Sequence, residues 1–586
     1  MPIPAATAVL TASPGGKPVV LPVVLSGAGL SADAPSNAPL GNELRNGYLN
    51  ALLLASATHQ SKAAIETDDL WTGGLDTWRL EVLLRILQRV MGESALAPLS
   101  VVVAGRPNDA HTLAAQLLSM PSAPRVHLTL NFDDYVERAI ESGTGTTPES
   151  VTLQDCERLE ALVCEDWQAL RVPVVVHLHG RVVRDGAVRF PGLVATLDQI
   201  AAKPSPLLIG LMRRAVEASL LVVGYSGLDT DVWPTLLNAG REIDGGTRIW
   251  NWKDPHSVRA ADQPLIEAGF AMSYGSAIEV LARTIGVPRP APSRHAPLVH
   301  LESFQPTEEE ARLSLAWIFQ DIGGAGRQRA LELLGHGPPA TTSQLAWLWW
   351  YRLGTTEHEL GRMDIAAEYL RKSRAVAGDD RTKAESELAL ADIDRKTLTT
   401  SRKASRVFAL APLALHLSRA WLSARGQPDG PIARQRSLRI AGHVILGLVE
   451  AKGDRPSWTA PTRLLSLVAQ RLFGAATVGP EAHTSMFAHL QLAEAIAYGV
   501  LAGADRASIV AAHEALKEAD DLSQFIGHGL ARANLTCAKA LVAIAEGNRL
   551  AALTLLDDAD RAYTDQGHEA GRRLVERRRK LARGLR

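Results

Sequence analysis

The chain has 586 residues, more than one hydrophobic core usually accommodates, so at least two domains are expected. A formal net charge of −1 supplies no global drive toward nucleic acid or an anionic membrane. The three cysteines, Cys156, Cys164 and Cys537, cannot build a disulfide framework or the paired Cys-x-x-Cys of a zinc ribbon, which fits a reducing cytoplasm and no structural metal.

Residues 1–17 read as an N-terminal extension without the basic and apolar regions of a signal peptide. No apolar run in the sequence approaches the roughly 20 residues of a membrane span. From residue 18 to 287, short apolar runs alternate with amphipathic stretches. The first run, Val23-Val24-Leu25-Ser26, enters Gly27-Ala28-Gly29-Leu30-Ser31, a strand turning sharply through two glycines. Helices are predicted over 69–91 and 111–118, then a strand at 126–130 that delivers Asn131 and Asp133, then a helix over 135–141. A further strand, Val174-Val175-Val176-His177, ends in His179-Gly180. The next, Leu220-Leu221-Val222-Val223, ends in Gly224-Tyr225-Ser226 and Asp229. A last strand is expected at 247–252 and a helix over 277–284. Such alternation predicts an α/β Rossmann-like parallel sheet with helices on both faces.

Residues 288–304 are a proline-rich linker that suits neither a helix nor a central strand. From 305 to 586 the sequence reads as all-α. Gly361 and Gly547 each precede a small-large-small stripe, Ala366-Leu370-Ser373 and Ala552-Leu556-Ala559, and Ala512-Leu516-Ala519 repeats the stripe. Small residues so placed let paired helices approach closely, as in helical solenoids resembling tetratricopeptide repeats, although the interval exceeds the usual ~34 residues.

In open α/β sheets ligands bind outside the carboxyl ends of the strands, and four segments place polar groups at that edge. The order Gly-Ala-Gly-x-Ser, Asn-x-Asp, His-Gly and Gly-Tyr-Ser-x-x-Asp resembles the sirtuin family, and more narrowly the sirtuin-like domains of bacterial antiphage defence proteins. The likeness spans roughly the first 290 residues. A dehydrogenase would instead place an acidic residue at the end of a second strand about 20 residues on; here Glu43 lies in a loop leading into a helix. Protein-deacylating sirtuins carry a four-cysteine zinc module that this chain lacks.

The resemblance implies NAD as substrate, with Asn131 and His179 in the catalytic positions. It places Gly27, Ala28, Gly29 and Ser31 around the phosphates, Asp133 at a ribose, and Gly224, Ser226 and Asp229 on the adenosine half. Chemistry agrees with those types: an amide both donates and accepts, and a histidine titrates near working pH. Plainer readings stand beside these. His-Gly at a strand end can be a simple turn, and Ser226 and Asp229 can serve loop backbone. His177 reads as packed or hydrogen-bonded, His111 as a structural cap or core residue. Trp347-Leu348-Trp349-Trp350-Tyr351 reads as helix packing, and the basic tail at 572–580 as a solvated helix face.

The expected function is hydrolysis of NAD to nicotinamide and ADP-ribose by a triggered defence effector, controlled through the helical domain. A homo-oligomer and a protein trigger are the expected partners, with no membrane and no nucleic acid. Two alternatives share the site: transfer of acyl or ADP-ribosyl groups on proteins, and non-catalytic sensing of NAD or another nucleotide.

Overall fold

A computed structural model describes residues 21–56, 79–185, 187–196, 205–227, 229, 231–253, 262–290, 301, 304–339, 343–400, 413–420, 422, 430–452, 460–477, 482–526, 530–566 and 568–584. The N-terminal extension, residues 69–78 of one expected helix and most of the proline-rich linker lie outside these residues. The chain divides into two compact units, Met1–Asn50 with Glu93–Phe304, and Ala51–Gly92 with Gln305–Arg586.

The first unit is built on a parallel sheet. Its strands are β1 (Val23–Ser26), β2 (Val126–Thr129), β3 (Glu149–Thr152), β4 (Val174–His177), β7 (Leu220–Val223), β8 (Arg248–Trp252) and β9 (Ala271–Tyr274), in the order β3-β4-β2-β1-β7-β8-β9. A separate antiparallel ribbon joins β5 (Val183–Asp185) to β6 (Ala187–Arg189). The central strands are apolar throughout because both faces are covered. Val23, Leu25, Val126, Leu128, Val174, Val176, Leu220 and Val222 pack on one side with Leu159, Leu211, Met212 and Leu236 of three helices. Val24, Val175, Leu221 and Val223 pack on the other with Leu113, Leu117, Ile140 and Leu281. Period-two alternation in a doubly covered sheet sends successive side chains into opposite cores.

The sheet extends one strand beyond the expected last one. Ala271-Met272-Ser273-Tyr274 forms β9 at the edge beside β8, a half-exposed strand without the β-branched run that marks the central ones. The edge strand β3 and the β5–β6 ribbon also lacked a sequence signal.

Chain order reverses beside β1, which pairs with β2 on one side and with β7 on the other. Their terminal turns touch. Gly27 N–H donates to the Val223 carbonyl (3.1 Å) and Gly29 N–H to the Gly224 carbonyl (2.9 Å). A Cβ at Gly29 would lie 2.9 Å from Gly224 Cα, and one at Gly224 would lie 2.5 Å from Leu30 N. Gly224 also holds a φ of +64°, a conformation costly for other residues.

The second unit is helical. Leu80–Met91 packs on Glu308–Ile322 and falls, with Ala51–Ser56, in this second unit. Leu80–Val103 is, among the described residues, a helical stretch long and apolar enough on average to cross a membrane, but Glu81, Arg85, Arg89 and Glu93 interrupt it and it is no continuous apolar run. Half of it is buried within the fold, and it changes from an α-helix to 3-10 turns at Gly92. Further along, Ser343–Glu359 packs on Met363–Val376, Ala482–Leu501 on Ile509–Ile526, and Ala531–Glu546 on Arg549–Asp565. In each pair the small-large-small stripe is buried: Ala366, Leu370 and Ser373; Ala512, Leu516 and Ala519; Ala552, Leu556 and Ala559.

The β1–β7 contact has a direct test. Gly224→Ala adds a methyl group against main chain at a positive φ, and should destabilise the protein by about 2 kcal/mol or more. Denaturant unfolding followed by circular dichroism measures it. A midpoint equal to the wild type would contradict the contact.

Candidate functional site at the sheet edge

The residues singled out from the sequence collect at the carboxyl ends of β1, β2, β4 and β7. Thr129 pairs with His177 in the register of β2 and β4, and Asn131 and His179 each follow two residues later. Neighbouring strands therefore deliver the two to the same edge. Ser31, one residue past the 3-10 turn Ala28–Leu30, joins them from β1.

Ser31 is the hub. Its buried hydroxyl donates to Asp133 Oδ2 (2.7 Å), accepts from Asn131 Nδ2 (3.0 Å) and lies 3.0 Å from His111 Nε2. A serine has one hydrogen to give, and here it goes to the carboxylate. His111 must then donate from Nε2. That tautomer agrees with its other nitrogen, because Nδ1 accepts from Asn108 N–H (3.1 Å). Burial holds His111 neutral by lowering its pKa to about 3. Its place three residues past the Asn108 cap of helix Asp109–Ser119 completes a reciprocal capping box. His111 is thus the expected helix cap and also a support of the site.

Asn131 is fixed on several sides. With Nδ2 committed to Ser31, its Oδ1 faces away from that hydroxyl, and this buried oxygen has no partner among the described residues. Its main-chain N–H donates to Thr129 Oγ1 (3.0 Å), which also accepts from Ser26 Oγ (3.0 Å). His127 Nε2 lies 2.9 Å from Ser26 and is the donor, since the Ser26 hydrogen is spent on Thr129. Burial likewise lowers the His127 pKa, to about 4.

His179 is 4% exposed and its Nε2 lies 3.2 Å from Asp231 Oδ2. A carboxylate only accepts, so Nε2 carries the hydrogen and Nδ1 is the basic nitrogen of the neutral ring. Asp231 is the N-cap of helix Val232–Glu242 and accepts from Val232 N–H (2.8 Å). The sequence reading quoted Asp231 and assigned it no role; its place at a helix start after β7 was the available signal. Gly180 makes the turn after His179 at a φ of +74°, with its Cβ position 2.2 Å from the Gly192 carbonyl oxygen.

The glycine turn of β1 differs from a dinucleotide-binding turn. The amides of Gly27 and Gly29 are both spent on β7, and no α-helix follows: the next one begins at Gly41. Its glycines answer the close approach of β7, while Ala28 is exposed at the tip. Ser226 is exposed, and Asp229 lies against the buried Tyr225 hydroxyl, whose pKa burial and that charge push upward. Among the described residues no group of three or more His, Cys, Asp or Glu side chains is arranged to hold a metal ion.

Asp133 sits 5% exposed beneath this network, accepting from Ser31 and from Tyr135 N–H (3.2 Å). Burial pushes its pKa from 3.8 up to about 7, against the pull of those two hydrogen bonds. A carboxyl group with a raised folded-state pKa stabilises the fold while protonated and loses that contribution as pH climbs toward the folded value. The stability of Asp133→Asn relative to the wild type should therefore improve between about pH 5 and about pH 8, measured as the difference in Tm. A difference that does not change with pH would place the titration elsewhere.

No protein-family model matches the chain, and no curated protein matches it.

Proposed function

We propose that this edge binds NAD and hydrolyses its nicotinamide–ribose bond. The observation that carries the reading is the Asn131 amide: pinned through Nδ2, with a buried oxygen that no group among the described residues satisfies. A buried acceptor left unpartnered costs stability, and a ligand hydroxyl or water at that point would satisfy it.

Each residue then has a task. The bond from ribose C1′ to the pyridinium nitrogen breaks with its electron pair going to the nitrogen, which discharges the ring as nicotinamide. Positive charge developing at C1′ and its ring oxygen is stabilised by a nearby fixed dipole, the role of Asn131 Oδ1. Water adds at C1′ and surrenders a proton, so NAD+ and water give ADP-ribose, nicotinamide and H+. His179 takes that proton at Nδ1 or orders the ribose hydroxyls, while Asp231 holds its other nitrogen. This reading assigns Ala28 to the phosphates, and Ser226 and Asp229 to the adenosine half. The likeness to sirtuin-like defence proteins extends the proposal to an effector released by a trigger at the helical unit, which is read as solenoid-like, with self-association as part of the switch.

The test is NAD turnover by the purified full chain over a range of protein concentrations, with products separated by chromatography. Asn131→Ala and His179→Ala should abolish nicotinamide release while keeping the wild-type circular dichroism spectrum. Asp231→Asn should lower kcat about 100-fold, the usual order for a weakened acid–base group. ADP-ribose appearing on protein instead of in solution would redirect the reading to transfer. Wild-type rates in both alanine variants, or a wild type that neither cleaves nor binds NAD, would contradict it.

A further inference from the structure

A buried ion pair lies under Asn131, and the reaction above makes no use of it. His177 ends β4 fully buried, its ring on the sheet face covered by helix Tyr135–Thr144. Nδ1 faces the main-chain carbonyl of Asn131 at 3.2 Å and Nε2 faces Glu137 Oε1 at 2.7 Å. Both partners are acceptors. A carbonyl oxygen cannot donate, and Glu137 Oε1 already accepts from Ser150 Oγ (2.6 Å), with Arg181 NH1 at 3.7 Å. The ring must therefore give a hydrogen from each nitrogen, which makes it an imidazolium. Burial alone would raise Glu137, but the facing His177 charge and the hydrogen bonds from His177 and Ser150 bring its pKa down to about 2. Burial likewise opposes the charge on His177, and the Glu137 carboxylate outweighs it and holds His177 above its ordinary pKa.

Other titratable groups face the pair without replacing it. His127 on β2 and His111 on helix Asp109–Ser119 are neutral, Asp133 and Asp134 lie in the loop after β2, and Arg181 follows β4. A charge buried this deeply is costly unless its geometry is used. Among the described residues, the one hydrogen bond that the His177 ring makes outside the pair is to the peptide of Asn131.

We propose that the His177–Glu137 pair is a positioning device for Asn131, in which a doubly protonated ring fixes the Asn131 carbonyl and so the direction of its amide side chain. This rests on Asn131 serving NAD hydrolysis. Deprotonation removes one of the two donors, and the carbonyl and the carboxylate then compete for a single hydrogen. Asn131 loses its backstop, and turnover falls without a change in how NAD is held.

Two measurements separate this proposal from the hydrolysis reading. Nitrogen NMR of histidine-labelled full-length protein, with the resonance assigned by its loss in His177→Asn, reads the ring directly. Both nitrogens of His177 should be protonated at about pH 8, well above an ordinary histidine pKa. A neutral ring there overturns the proposal whatever the protein does with NAD. Turnover against pH supplies the functional arm. Glu137→Gln should lower the His177 pKa read by NMR and move the alkaline limb of kcat down with it, with KM for NAD unchanged. His177→Leu should reduce kcat about 100-fold, and His177→Asn, which keeps a donor near the place of Nδ1, should recover most of that loss. A limb that stays put while the NMR pKa moves overturns the positioning role. Wild-type turnover in Asn131→Ala would instead remove the hydrolysis assignment, leaving the NMR result to judge the pair itself.

Discussion

Where β1 and β7 end, two turns meet main chain to main chain, and three glycines leave room for them. Gly27 and Gly29 give their amides to the β7 segment, and Gly224 takes a left-handed conformation against Leu30 N. This contact sets where the chain stands as it leaves the sheet, and so where Ser31 stands one residue later. Three links meet at Ser31: one hydrogen to Asp133, and one acceptor shared by Asn131 and His111. The geometry at the reversal of strand order is thus carried by backbone packing, and a single hydroxyl ties Asn131, Asp133 and His111 together, while His179 is held separately by Asp231.

Charge in this region is arranged in layers. The hydroxyls of Ser26 and Thr129 and the neutral rings of His111 and His127 form an uncharged lining. Among the described residues, charge lies in the His177–Glu137 pair with Arg181 beside it, in Asp133 at its turning point near neutrality, in Asp231 behind His179 and in Asp229 against Tyr225. Fixed groups buried this deeply act at higher effective strength than they would in water. On the proposed reaction, a substrate ring that loses its charge on cleavage suits the uncharged part of this lining, and the acidic groups held nearby favour positive charge developing on the ribose.

Much of this arrangement is legible in the sequence, for physical reasons. Runs such as Leu220-Leu221-Val222-Val223 can only be central strands buried on both faces, and the polar residues after them fall at one edge because the strands are parallel. Periodicity also marks the buried small-residue stripes of the helical unit. The rest depends on contacts between distant segments. Nothing local distinguishes β9 from a loop, and nothing near Leu80–Met91 tells which unit covers its apolar face. Gly-Ala-Gly reads as a phosphate turn until β7 is seen to take its amides. His177 reads as a packed or hydrogen-bonded histidine, and its partner Glu137, 40 residues earlier, is identified only by the fold. Asp231 gains its meaning only beside His179.

The central claim is that the four strand-end segments form one NAD site. Hydrogen–deuterium exchange of the full chain, with and without a carba-NAD analogue that cannot be cleaved, tests it most directly. The account predicts slower exchange at residues 27–31, 131–133, 179–181 and 224–229 together, weakened in all four by Asn131→Ala. Saturating analogue that leaves those segments unchanged, or protects only other parts of the chain, would contradict it.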